Sequence, residues 1–411
     1  MFDLIGLFSV ILVSLIFLFL ALRKPRISKI IYLALSVRII LLFIGQYIDL
    51  PDSTSDAENF EFYAWQFGKD GFMNLFTHFR GPDPFFISWI IAIPYSLLDR
   101  SELMAESISL LFGMGSVYLG WIVANKIWNK DIANKVGMTI ALFPSLILYS
   151  VLIMRETYIV FFLLLALYGV VTWTKTDSFK SIIITMAGFF MATFFHGAMI
   201  IGGIVFFLIV FLVNIKKMFK LLIKFRLNFK FLIYLSSIAG LVFYILTKVH
   251  IPYLESFDYA TNLSTLFQKT TINTKGDASW PTWLIISSPV EMFYKLPLRS
   301  IYFMYAPFPW DVSQARHLAG MLDSFLYIYL TFLIFKNKKN IWRDPALRVF
   351  LIILIFYIIV FAIGAGNFGT GIRHRSKFVV LFILLAAPLI KKFIFDNKNK
   401  FFSNKFEKIS K

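Results

Sequence analysis

Runs of about 17–23 apolar residues recur along the chain, and a run of that length crosses a hydrocarbon core of about 30 Å as a single helix. In lipid every backbone N–H and C=O must be bonded within the protein. Only helices and closed β-barrels meet that condition. A barrel would need shorter segments of alternating polarity, and the sequence has none. The expectation is an all-α fold: a polytopic transmembrane helix bundle forming one domain over residues 1–411.

Composition agrees. The chain is 59% hydrophobic and 16% charged, against about 45–50% apolar and about 25% charged in a soluble domain. About eleven spans are predicted, near residues 5–22, 29–48, 104–125, 133–151, 157–173, 180–195, 198–214, 230–248, 318–335, 346–364 and 376–391.

The net charge of +18 sits mostly in short loops beside apolar runs, which is a topology signal rather than a nucleic-acid footprint. Basic segments follow the first, third, fifth, seventh, ninth and last predicted spans: Arg23–Lys29, Lys126–Lys135, Lys175–Lys180, Lys216–Lys230, Lys336–Arg348 and the tail from Lys391. All fall on one side, which the positive-inside rule makes cytoplasmic. The N-terminus is then expected outside, with residues 392–411 as a cytoplasmic basic tail. Run 5–22 lacks a basic start and a small-residue cleavage site, so it reads as a retained helix. Short loops and a Lys/Phe/Ile-rich composition lean towards a bacterial inner membrane.

The opposite side receives two long loops. Residues 49–102 form an acidic first external loop in which Asp83–Leu98 is apolar but too short to span, as suits an interfacial or re-entrant helix. Residues 249–317 form a second, with a mixed-charge stretch from Glu291 to His317 that suits a membrane surface. The chain has no cysteine, which removes disulfides, thiolate nucleophiles and Cys-based zinc sites. No Walker P-loop, HExxH or GxSxG motif occurs, and the spans carry few charges. This argues against ATP-driven work, zinc-peptidase chemistry and a proton relay.

Four external clusters hold the candidate chemistry. Asp56 and Glu58, directly after the second span, suit a general base or a divalent cation such as Mg or Mn; a solvated acidic loop has the same composition. Arg155 and Glu156 head a span, either as a structural ion pair or with the Arg contacting phosphate bidentately. Asn367-Phe-Gly-Thr-Gly-Ile-Arg373-His374-Arg375 reads as a Gly-rich loop exposing backbone N–H groups ahead of two Arg and one His, a phosphate or pyrophosphate cradle placed against the positive-inside bias. Trp310 and Asp311, then Arg316 and His317, offer aromatic and polar contacts to a sugar, or an interfacial aromatic belt. Within the second span, Arg38 is expected to face the bundle and pair with a carboxylate or a lipid phosphate. His196-Gly197 reads as a plain external turn.

Taken in order, these clusters resemble the GT-C superfamily of membrane glycosyltransferases. Relatives of that kind include dolichyl-phosphate-mannose protein mannosyltransferases and bacterial polyprenyl-linked-sugar transferases. The family's first external loop opens on an acidic motif, often Asp-x-x-x-Tyr-x-x-x-Ala. Here it reads Asp56-Ala-Glu-Asn-Phe60-Glu-Phe-Tyr-Ala64, with Phe for Tyr and an extra helix ahead of it. A Pro-Ser span ending in Arg-Glu follows, here Phe143-Pro-Ser to Arg155-Glu156. An Arg-rich external turn precedes the final helix, here Gly371-Ile-Arg373-His374-Arg375. The resemblance covers about residues 30–175 and 364–390. It implies a GT-C-like bundle, a polyprenyl-phosphate or -diphosphate sugar donor entering from the bilayer, and a glycan or lipid-linked acceptor. It further implies Asp56 as general base with Glu58 assisting it or a metal, and Arg373, Arg375 and Arg155 on the leaving phosphate. Membrane lipids are expected partners and nucleic acid is not. An O-antigen or capsule polysaccharide polymerase, and a lipid-linked glycan transporter or flippase, are the alternative readings.

Overall fold

The computed structural model describes residues 3–223, 278–312 and 315–391. The first half begins with α1 (Leu4–Arg23), α2 (Ser28–Gly45), a π turn (Ser53–Ala57), α3 (Glu58–Gly68), α4 (Phe72–Leu75) and α5 (Phe86–Leu97). It continues through α6 (Glu102–Ile127), α7 (Lys130–Leu142), α8 (Pro144–Tyr149), α9 (Arg155–Thr176), α10 (Phe179–Phe195) and α11 (Ile200–Ile223). The second half has α12 (Pro289–Tyr305), α13 (Ala315–Lys336), α14 (Lys338–Arg343), α15 (Pro345–Gly364), α16 (Phe368–Ser376) and α17 (Val379–Ala386).

Among the described residues six helices are long and apolar enough to cross a membrane: Leu4–Arg23, Ser28–Gly45, Glu102–Ile127, Arg155–Thr176, Gly197–Ile215 and Pro345–Gly364. The chain is a polytopic helical membrane protein. Helix α9 sits at its centre, packed against α6, α10 and α15. Local chemistry sets the helix starts. Asp3 accepts from the Gly6 N–H at 2.8 Å, Ser101 from Met104 at 3.0 Å, and Asn129 from Ile132 at 3.0 Å, each satisfying a first-turn donor that has no intrahelical partner.

Several predicted elements are built differently. The predicted span 133–151 is not one helix. Phe143 is extended (φ −69°, ψ 123°) because the following proline disfavours the helical region, so α7 ends and α8 begins afresh at Pro144. The predicted span 376–391 is short α17 followed by a single 3-10 turn, and Val379–Ala387 are buried on every side. This segment fills the bundle core instead of meeting lipid. The predicted span 230–248 lies outside the described residues. In the loop of residues 49–102, α5 has 12 residues, about 18 Å at 1.5 Å per residue, which is too short to cross.

Arg38 corrects a further expectation. It is fully buried, but its partners are main-chain carbonyls: Ala141 O at 2.9 Å, Ala34 O at 3.3 Å and Ile140 O at 3.4 Å. Ile140 O would ordinarily accept from the N–H four residues on. That residue is Pro144, which has none. The guanidinium therefore caps the broken end of α7, and no carboxylate is needed.

Candidate active site

Helix α16 brings the C-terminal cations to the loop of residues 49–102. Asn367 caps it, accepting from Thr370 N–H at 2.7 Å. Its start is also tied to residues 278–280 by Phe368 N–H to Ala278 O at 2.8 Å and Trp280 N–H to Gly366 O at 2.9 Å. The predicted Gly-rich cradle is thus overturned. Residues 368–376 are helical, and the N–H groups of Phe368, Thr370 and Gly371 are already bonded.

The helix also separates the two arginines. Residues two apart point to different faces, and residues four apart share one. Arg373 and Lys377 face α9 and the first loop. The Arg373 Nη1 donates to Asp56 Oδ2 at 2.6 Å. Its Nε lies 3.7 Å from Glu156 Oε1, and Lys377 Nζ lies 3.6 Å from the same oxygen. Arg375 points the other way and is fully buried. It binds Asp323 Oδ2 at 2.9 and 3.1 Å, the carbonyls of Met304 and Ala306 at 2.9 Å each, and Ser324 Oγ at 3.0 Å. Every arm of that guanidinium is occupied inside the protein, so Arg375 clamps α12 and α13 to α16 and does not face Asp56.

Asp56 lies in the last part of the π turn at 53–57; such turns place side chains where a regular helix would not. Asp52, just before it, has φ +64°, a left-handed conformation that Asp tolerates better than most residues. Its Oδ2 accepts from the Tyr149 hydroxyl at 2.9 Å, which joins the loop to α8. The break at Phe143-Pro144 makes this possible by re-aiming α8. Glu58, two residues beyond Asp56, is exposed and does not share its face. Arg155 lies over the Phe60 ring at 5.1 Å.

Around Glu156 the polar atoms outnumber their partners. Both Glu156 oxygens, Arg155 Nε, Arg373 Nε and His196 Nδ1 are buried without a hydrogen bond, although buried polar groups are normally satisfied. The His196 and His374 rings lie 5.1 Å apart, and His374 Nδ1 is 2.8 Å from Lys377 Nζ. Burial, then the Lys377 charge, hold both His rings well below their usual pKa and keep them neutral. Burial also works against charge on Arg373, but Glu156 and Asp56 outweigh it and keep the guanidinium above its usual range.

Sequence reasoning missed Lys377, Tyr149 and Asp52, and set aside His196. Lys377 carried a signal, an ionisable residue at the head of an apolar run and four positions after Arg373. Trp310 and Asp311 are engaged within their own turn, Trp310 stacked on Phe308 at 4.8 Å and Asp311 accepting from Phe308 N–H at 2.9 Å. Arg316 and His317 fall in the first turn of α13, and their side chains lie outside the described structure.

The structure is similar to that of ArnT from Cupriavidus metallidurans in the apo state, with a TM-score of 0.52 and 13% sequence identity over 87% of this chain and 59% of that one. The chain shares the overall helical fold of ArnT. It spans less than two thirds of the ArnT chain, 59%. No protein-family model matches the sequence and no curated protein matches it.

Proposed function

We propose that the protein is a membrane glycosyltransferase that takes sugar from a polyprenyl-phosphate or -diphosphate donor at its external, periplasmic face and passes it to a glycan or lipid-linked acceptor. One observation carries the reading. Asp56 of the first loop and Arg373 of α16, 317 positions apart, meet at 2.6 Å, beside further cations and unpaired polar atoms. A carboxylate against a cationic cluster is what glycosyl transfer from a lipid phosphate requires.

In this scheme Asp56 takes the proton from an acceptor hydroxyl as that oxygen bonds to the anomeric carbon. The bond from that carbon to the donor phosphate oxygen breaks, and the phosphate leaves with the electron pair. Arg373, Lys377 and Arg155 stabilise the growing negative charge. Glu156 positions Arg373 and Lys377, and neutral His374 keeps Lys377 from a second charge. Arg38, held through Nη1 and Nη2 by main-chain carbonyls, and Arg375, bound at every arm, take no part. Among the described residues no group of three or more His, Cys, Asp or Glu is placed to hold a metal ion, and Asp56 Oδ2 is already held by Arg373.

The test is transfer by purified protein from a panel of polyprenyl-linked sugars, followed by mass spectrometry. Asp56→Asn and Arg373→Ala should each lower turnover by about 10²–10⁴-fold, the usual worth of such groups. Activity kept by Asp56→Asn removes that residue from the role. Donor binding without turnover in the wild type turns the reading to a transporter. Product length separates single transfer from polymerisation.

A further inference from the structure

A second concave site lies in the first external loop, away from the Glu156 cluster. It encloses about 210 Å³ between α3, α5 and the segment 78–83. Drug-sized pockets run to about 300–1,000 Å³, so this one suits a single small ring. Phe67 and His78 stack face to face at 5.1 Å and 18°, and Tyr63 meets Phe85 at 4.4 Å. Trp89 contributes its ring alone, because its Nε1 already donates to Leu75 O at 3.1 Å.

The polar groups are Arg80, His78, the Tyr63 hydroxyl and Asp83, whose Oδ1 already accepts from Phe85 N–H at 2.7 Å, leaving Oδ2 for a ligand. Arg is a donor only, an ionised Asp an acceptor only, and His either. A hydroxyl is both donor and acceptor, so neighbouring hydroxyls on a sugar ring satisfy this set. A phosphate does not, because Asp83 would repel it, and an acyl chain would leave Arg80, His78 and Asp83 Oδ2 unused. The apolar C–H face of a sugar ring matches an aromatic wall in the same way that aromatic bodies bury apolar surface while their polar tips stay wet. From Asp56 to Tyr63 is seven positions, two helical turns, or about 10 Å of rise. Phe60 and Phe85, with centroids 5.9 Å apart, continue the aromatic wall from the ring beneath Arg155 to the pocket.

We infer that this pocket is a saccharide subsite, holding a neutral sugar ring of the acceptor next to the ring whose hydroxyl meets Asp56. The inference rests on the glycosyl-transfer reading for its role, but its test requires no donor and no turnover. Purified full-length protein in nanodiscs would be titrated with neutral methyl glycosides and short oligosaccharides, read by ligand-observed NMR. A parallel arm would carry the same sugars as glycolipid headgroups in the nanodisc.

Saturable binding is expected, at least tenfold weaker in both His78→Ala and Arg80→Ala. Binding in both arms identifies a free glycan as sufficient, and binding only from lipid identifies a membrane-anchored acceptor. No binding by any sugar in either arm, or binding that survives both substitutions in monodisperse protein, overturns the inference. Sugar binding with no transfer from any donor would instead refute glycosyl transfer and leave the subsite standing.

Discussion

Glu156→Gln is the most informative single change, because it removes charge at constant volume from the centre of the cluster. Glu156 is 1% exposed and faces Lys377 Nζ at 3.6 Å and Arg373 Nε at 3.7 Å. With an effective dielectric of about 20, each attraction between full charges is about 4–5 kcal/mol; burial lowers the Lys377 pKa to about 7, so its share is full only below that pH. Desolvation of the carboxylate offsets part of this, and breaking a buried pair from one side typically costs about 3–5 kcal/mol. At about 2 °C per kcal/mol, the lower end of the scale for mid-sized domains, that is a fall of roughly 6–10 °C in apparent Tm. Scanning fluorimetry in detergent at one fixed scan rate reads it, since irreversible unfolding makes Tm depend on scan rate. Adding Lys377→Met removes the cation left without its partner and should recover at least half the loss. That rescue is what separates an electrostatic cost from simple damage. A fall of under about 1 °C, the size expected of a neutral surface change, would refute the argument. So would a double variant whose loss equals the sum of the two single losses.

Other expectations follow from the same packing. Arg38→Leu should destabilise by about 1–3 kcal/mol for each carbonyl it leaves unpaired. The penalty should shrink in a Pro144→Ala background, where residue 144 regains an N–H for Ile140 O; equal penalties in both backgrounds would remove the capping role. Arg375→Met should lower stability by about 3–5 kcal/mol by stranding buried Asp323, with recovery in Arg375→Met/Asp323→Leu; thermal melts of both variants check this. His374 binds a proton less readily in the folded state than in the unfolded state, whose pKa is near 6.5. Below that pH the unfolded state takes up more protons, so stability falls as pH drops from 7 to 5. His374→Asn should reduce the Tm difference between those two pH values.

What the sequence decided by itself is whatever depends on local length and order. Apolar runs of spanning length fix a helical membrane bundle because lipid leaves the backbone no other partner. The acidic motif at Asp56 and the cations at Arg373 are legible because their residue types are out of place among apolar neighbours. Proline 144 announced a break that the hydropathy of the predicted span 133–151 concealed. Tertiary structure alone decided which charges meet. Arg373 and Arg375 are indistinguishable as letters two apart, yet helical geometry sends one to Asp56 and Glu156 and the other into a clamp on Asp323. Tyr149 and Asp52 meet only because α8 is re-aimed after Phe143 and because Asp52 takes a left-handed conformation. Arg38 found carbonyls instead of a carboxylate for the same reason. Pairing between residues fifty or more positions apart is set by how helices pack, and periodicity along one helix holds no record of the neighbour it will face.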